Sequence, residues 1–484
     1  MVPLKILFVA AEVTPFAKTG GLADVSAALA RQLARDGHDV KLVLPLYGRV
    51  AAGDWTFAPH PELLDLVLEL GTRSFRFSVV TTPLPSSELD VLFLRCDELY
   101  GGDEIYTSRA DEHQRFAFLS AASLRIAQEL GWSPDVVHAN DWHTALVPLY
   151  LKAQLSWDRL FERTRSVLTI HNIGYQGVFP ASVAGDLGFG DQQTVFHQEH
   201  LAEGRLNFLE TGALYADALT TVSETYAREI RTAEHGAGLD GLLRRRSDAL
   251  FGIQNGIDTD EWDPATDPAL HAHYDASDLK GKRANKRHLS ERFGLPAGRG
   301  PLFGIVSRLT HQKGFDLLPD VLPVILRESD LRLVVLGSGE ERIERYFQWL
   351  RDSFPAQVGI YRGYDEQLAH QIEAGADAFL MPSRYEPCGL NQMYSLRYGT
   401  VPIVRRTGGL ADTVEDYDPV TGEGTGFVFD DFTSEALLAA MRRALAVWKD
   451  PVTWARIVRA GMARDFSWER QAQRYVELYR RLVP

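Results

Sequence analysis

The chain has 484 residues, 45% of them hydrophobic and 24% charged, a globular composition on a length that exceeds one ordinary core and predicts two domains. Its formal charge of −14, from 51 basic and 65 acidic residues, argues against a nucleic-acid partner or an anionic-membrane surface, so any anionic ligand must be caught by a local basic pocket. With only two cysteines, Cys96 and Cys388, a disulfide framework and a cysteine zinc site are excluded, and a reducing, cytoplasmic setting is expected.

The first apolar run, KILFVA from Lys5, is short and reads as a strand rather than a signal peptide. No run approaches the ~18 uninterrupted apolar residues of a spanning helix. KTGGLAD follows at Lys18–Asp24, and apolar residues then recur at helical spacing from Leu22 to Leu33. Gly20 and Gly21 thus fall at a helix start, where backbone amides, the helix dipole and Lys18 together favour an anion. TGGLAD recurs at Thr407–Asp412, again after an apolar run and before a helical pattern, so Thr407, Gly408 and Gly409 are read the same way. The bland alternative is that both copies use glycine for turn geometry alone. Neither is a GxGxxG or Walker fingerprint.

Short β-branched runs then alternate with amphipathic stretches, the pattern of parallel sheets covered by helices. VKLVLP, VLFL, DVVHA, SVLTI and ALTTV join KILFVA in the first half; LFGIV, LRLVVLG, DAFLM and VPIV make up the second. Each half predicts a doubly wound sheet. The expected division is 1–250 for an acceptor-side domain and 251–460 for a donor-side domain. A terminal helix, 461–484, then closes the second domain or reaches back onto the first. Unusual polar residues cluster just past strand ends, where open parallel sheets bind ligands. If the two sheets face each other, both sets line one interdomain cleft.

HANDWHT, His138–Thr144, crowds histidine with aspartate, but His138 and His143 are not at the i, i+4 spacing of ligands on one helix face. Asp141, with His138, is read as a partner for a polyhydroxyl ligand and Trp142 as a flat apolar face; Asp141 as a helix N-cap is the alternative. HNIGYQG, His171–Gly177, is either a sugar-contacting loop or ordinary turn chemistry. Asp258-Thr259-Asp260 invites comparison with a metal motif of some sugar transferases, yet reads better as a turn and cap, and no metal is expected. In SRLTHQKG, Arg308 and Lys313 follow a buried strand, where cations make sense if they meet a leaving diphosphate. In SRYEPCGLNQMYSLRYG, Glu386 sits on a turn stiffened by Pro387 and freed by Gly389, and Cys388 is read as a small filler.

Taken together, KTGGL, HANDWH, HNIGYQG, NGID, SRLTHQKG and SRYEPCGLNQMYSLRYG followed by RRTGGLADTV resemble the bacterial glycogen synthase and plant starch synthase family, in that family's order and over nearly the whole chain. The resemblance implies an α/β, GT-B architecture of two Rossmann-like domains. It also implies a retaining transferase that moves α-glucose from ADP-glucose to the non-reducing 4-hydroxyl of an α-1,4-glucan such as glycogen or a maltooligosaccharide, without a metal or other cofactor. Tyr394, where many related retaining enzymes carry a second glutamate, is similar to the glycogen and starch synthase branch. Carried over, Arg308, Lys313 and Lys18, with the Gly20, Gly21, Gly408 and Gly409 amides, would face the diphosphate, and Glu386 the donor glucose. His171 is expected in catalysis, Asp141 and Asn172 as sugar contacts, Tyr364 as an adenine platform and Asn255 on the acceptor side. The rivals are a sugar-nucleotide 2-epimerase and a catalytically dead glucan-binding protein; the choice of ADP over UDP is not legible.

Overall fold

The computed structural model describes residues 2–483. The chain forms two compact units. The first comprises residues 1–222, 227–256 and 468–484, and the second residues 223–226 and 257–467.

In the first unit the strands run in the order Leu250–Gly252, Ala218–Thr221, Arg165–Ile170, Val136–Asn140, Lys5–Val9, Asp39–Pro45 and Asp90–Arg95, all parallel. The apolar runs made these strands because burial on both faces removes any need for alternation, and Val136–Asn140 is buried throughout. The sequence reading missed the far edge. There Arg73–Pro83 pairs antiparallel with Asp90–Arg95, and Leu66–Leu70 and Ala58–Pro59 pair antiparallel with Arg73–Pro83. Arginines and serines interrupt RSFRFSVV, and its inward side chains Phe75 and Phe77 alternate with exposed ones, as a half-covered antiparallel strand requires.

The helix Gly21–Arg35 buries Leu22, Val25, Leu29 and Leu33 along one stripe. Helix Trp468–Leu482 packs beside it within the same unit and buries Ala472, Tyr475, Val476 and Tyr479. Tyr479 Oη lies 2.7 Å from Nδ1 of fully buried His138, and His138 Nε2 lies 2.6 Å from Thr169 Oγ1. The last turns of the chain are therefore hydrogen-bonded into the middle of the first sheet.

The second unit is an all-parallel sheet ordered Val358–Arg362, Arg332–Gly337, Leu302–Val306, Ala378–Met381, Val401–Arg405 and Phe427–Phe429. Helix Leu318–Glu328 sets Leu318, Val321, Leu322 and Ile325 into a core with Phe303, Ile305, Leu333 and Val335. Two strands escaped the sequence reading: VGIYR ends in exposed residues, and FVF is only three residues long. Among the described residues no helix is long and apolar enough to cross a membrane.

Candidate active site

In the first unit, strand Val136–Asn140 ends at Asp141, whose backbone adopts φ 57°, ψ −176°, a region normally left to glycine. The surrounding hydrogen bonds hold it there. Its Oδ1 accepts the His171 amide at 2.7 Å, so the carboxylate ties together the ends of two adjacent strands instead of capping the turn that follows. Burial pushes the Asp141 carboxyl up to about 7, opposed by the His171 and Asn172 amides.

Asn140 donates through Nδ2 to the Val9 carbonyl at 3.1 Å, which turns its Oδ1 toward His171 Nε2, 2.9 Å away. The ring hydrogen of His171 therefore sits on Nε2 and leaves Nδ1 as an acceptor. Burial lowers the His171 pKa to about 3, so the imidazole is neutral near pH 7. Asn172 spends its Oδ1 on the Gly174 amide within the loop. Asn255 is buried with an Oδ1 that has no hydrogen-bond partner among the described residues.

Two expectations for this stretch fail. His138 is sealed in the core between Thr169 and Tyr479, beyond reach of a polyhydroxyl ligand. Trp142 is half-buried packing rather than an open platform: it packs against Phe116, His143 and Phe179, and Gly177, at φ 63°, lies so close that an added Cβ would fall 2.2 Å from the indole.

The two glycine-rich loops are also not the open amide cradles expected of them. Buried Glu12 accepts the amides of Thr19 and Gly20, the Thr19 hydroxyl at 2.7 Å, and the Tyr106 hydroxyl. The anion at that helix end is the chain's own carboxylate. Lys18 Nζ pairs with Asp24 Oδ1 at 2.8 Å, its side chain one-third exposed at 34%, and Asp24 is also held by Thr14 Oγ1. A pair this exposed is worth about 1 kcal/mol or less, so Lys18 can exchange it for another anion at little cost.

At the second copy, the Gly409 amide donates to the Glu386 carbonyl at 3.0 Å, and an added Cβ at Gly408, φ 43°, would lie 1.8 Å from that same oxygen. These glycines let the Thr407–Gly409 backbone lie flat against the Glu386–Cys388 loop. Geometry, the bland reading, accounts for them here.

That loop carries the polar centre of the second unit. Lys313, from the segment after strand Leu302–Val306, reaches Glu386 Oε2 at 2.7 Å, and Ser383 Oγ donates to the same oxygen at 3.0 Å. The carboxylate side chain is 6% exposed and the lysine side chain 19%. Lys313 carries three N–H donors, and Glu386 occupies one. Arg308 is exposed and makes no ion pair among the described residues, while neighbouring Arg384 is held by Asp316 at 2.7 Å. Tyr364 presents its ring to solvent, 68% exposed.

Tyr394 stacks on Trp262, ring centroids 3.7 Å apart, and His370 stacks on the same indole at the same spacing. Position 394 thus belongs to an aromatic packing cluster. Asp258 accepts the Asp260 and Glu261 amides through Oδ1 at 3.0 and 3.3 Å, which is the turn and cap expected of it. Sequence reasoning missed Glu12, Tyr106 and the orienting role of Asn140. Glu12 and Tyr106 are 94 positions apart, and no local pattern links them.

Residues 5–245 match the starch synthase catalytic domain model, and residues 289–460 match the model of glycosyl transferases group 1. A glycogen synthase of Myxococcus xanthus is 49% identical, the match spanning 99% of this chain and 100% of that protein. The chain belongs to the starch and glycogen synthase family. Glycogen synthase 2 of Geobacter sulfurreducens is 45% identical across 99% of this chain and 98% of its own length. The catalytic domain of starch synthase IV from Arabidopsis thaliana, solved with ADP and acarbose, superposes with a TM-score of 0.91 at 36% identity over 100% of both chains. Sucrose-phosphate synthase from Thermosynechococcus elongatus has the same fold, with a TM-score of 0.61 at 18% identity over 99% of this chain and 98% of its own. As a family member the chain is a glycosyltransferase of GT-B architecture with two Rossmann-like domains.

Proposed function

We propose that this family member lengthens an α-1,4-glucan, such as glycogen or a maltooligosaccharide, by taking α-glucose from ADP-glucose with retention of configuration. The reading rests on one observation above all: a buried carboxylate, Glu386, clasped by Ser383 and by Lys313, a lysine from the same segment after strand Leu302–Val306 that carries the exposed Arg308. Charge accumulates on the diphosphate as the glycosidic bond stretches, and preorganised cations stabilise that charge. Arg308 offers a planar fork with no competing ion pair among the described residues, and Lys313 has donors to spare while it holds Glu386 in place. Glu386 holds donor-sugar hydroxyls and favours an oxocarbenium-like state. With no second carboxylate assigned beside it, attack by the glucan hydroxyl on the face the diphosphate leaves accounts for retention.

In the first unit, Lys18 supplies a further exchangeable cation. Neutral His171 accepts a sugar hydroxyl through Nδ1, Asp141 and Asn172 shape the same loop, and Asn255 offers an unpartnered oxygen to the acceptor side. Tyr364 is the adenine platform. Gly20, Gly21, Thr407, Gly408 and Gly409 act by giving the loops their shape. No metal takes part in diphosphate departure, and neither a nucleic acid nor a membrane is a partner. Two buried free thiols, Cys96 and Cys388, fit a cytoplasmic location.

The test is incubation with ADP-glucose in the presence and absence of maltooligosaccharide. The expected result is ADP release matched one-for-one by chain elongation, and only with glucan present. Conversion of the donor to an isomer without glucan would favour the 2-epimerase, and glucan binding without turnover would favour a dead site. Magnesium or manganese added to a chelator-treated sample should leave kcat unchanged; stimulation would remove the metal-free step.

A further inference from the structure

We propose that His197, His200 and Glu210 form a binding site for one zinc ion that braces the first unit, separate from the glucosyl-transfer chemistry. These residues are the group among the described side chains whose ligand atoms come together as a metal site requires, all within 4.8 Å of one another. His197 caps the short helix Gln198–Ala202 and His200 lies within it, and their rings come together with centroids 4.6 Å apart. Glu210 comes from the first turn of helix Phe208–Tyr215, which is started by Asn207 accepting the Glu210 amide at 3.0 Å.

His200 Nδ1 is 2.7 Å from Glu210 Oε2, and His197 Nδ1 is 4.0 Å from Glu210 Oε1. Zinc bonds of about 2.0–2.1 Å at tetrahedral angles place neighbouring ligand atoms ~3.3 Å apart. Both separations differ from that by less than about 1 Å, one from below and one from above, so a side-chain adjustment brings all three onto one ion. Two imidazoles and a carboxylate suit zinc among the available divalent ions, with water as the fourth ligand.

A histidine–glutamate hydrogen bond alone would explain His200. It does not explain His197, whose Nδ1 is buried with no hydrogen-bond partner among the described residues. A cation on that lone pair would satisfy it. The site would also bear on the loop that follows His171. Asn207 Nδ2 donates to Gln176 Oε1 at 2.6 Å, and the Phe208 and Leu209 amides donate to the Gly177 and Gln176 carbonyls. An ion joining residues 197–200 to Glu210 fixes the helix from which that loop hangs.

The experiment uses tag-free full-length protein, stripped with chelator and desalted, then titrated with zinc chloride by calorimetry and followed by thermal melting. Wild type should take up one equivalent and melt at a higher temperature with zinc than without. His197→Ala and Glu210→Gln should each lose that equivalent and the zinc-dependent rise. His197→Ala removes a ring with no hydrogen bond among the described residues, so its metal-free melting should match that of metal-free wild type and certify its fold. Absence of stoichiometric uptake by wild type, or uptake retained by both folded variants, overturns the proposal.

Discussion

Lys313 and Glu386 form an ion pair of 2.7 Å in which the lysine is the carboxylate's one cationic partner among the described residues, Ser383 adding a neutral donor. Removing the lysine leaves a buried charge with a hydroxyl alone. Lys313→Ala should therefore cost about 3 kcal/mol of stability as well as most of kcat. Glu386→Gln in the same chain should restore stability and leave activity lost. Chemical denaturation of the two single variants and the double variant gives the coupling, expected on the order of 1–3 kcal/mol. Strictly additive effects would mean that the two groups do not support each other in solution.

Arg308 separates chemistry from folding more cleanly. Its side chain is exposed and makes no ion pair among the described residues, so Arg308→Ala should leave the melting temperature unchanged. Loss of a donor aimed at developing charge costs about 3 kcal/mol, on the order of a hundredfold or more in kcat. Steady-state kinetics on ADP-glucose would check it, and wild-type kcat in the variant would remove Arg308 from the leaving-group site.

The repeated TGGLAD predicts opposite responses at matching positions. Gly408→Ala places a Cβ 1.8 Å from the Glu386 carbonyl at a left-handed φ of 43°, so it should destabilise by several times RT and displace the carboxylate from Lys313. Gly20 has an extended φ of −161° and nothing within 4 Å of an added Cβ. Gly20→Ala should cost at most about 1 kcal/mol. Thermal melts of the two variants decide it, and equal losses would contradict the packing described here.

Much of this fold could be read from the chain because buried parallel strands are apolar without interruption, as in LRLVVLG and SVLTI. Elements that alternate, such as Arg73–Pro83, or that are very short, such as Phe427–Phe429, carry too little signal. At the site, Glu386, Lys313 and Arg308 were legible as charges stationed past strand ends. The divergence of the two glycine loops was not. One meets Glu12 and the other meets the Glu386 carbonyl, and identical local words cannot report which distant backbone lies beside them.

Asp141 gives a pH signature. Its carboxyl is pushed up to about 7 by burial, against an ordinary value of 3.8, so the fold disfavours its charged form. Below the unfolded value both states are protonated and the residue costs nothing. As pH rises toward about 7 the unfolded chain ionises first, and stability falls by about 1.4 kcal/mol per unit until the folded carboxyl ionises too. Asp141→Asn is neutral and can still accept the His171 amide. The variant's stability relative to wild type should thus increase between about pH 4 and pH 7 and level off above. Denaturant melts across that range measure it, and a flat difference would show that Asp141 ionises normally.

Tyr479→Phe removes the hydroxyl 2.7 Å from His138 Nδ1 and leaves a buried ring nitrogen unsatisfied. A loss of about 1–3 kcal/mol is expected with kcat unchanged below the melting transition. Differential scanning calorimetry together with an activity assay distinguishes this from a role in turnover.

The return of Trp468–Leu482 to the first sheet also sets an order of events during synthesis. The stripe on Gly21–Arg35 that this helix covers, and the imidazole that its tyrosine caps, emerge from the ribosome hundreds of residues before their cover does. The leading half of the nascent chain must wait, incompletely sealed, until residues 468–482 have been made, and a premature stop anywhere between residues 257 and 467 leaves the first unit without this cover, however much of the second has been made.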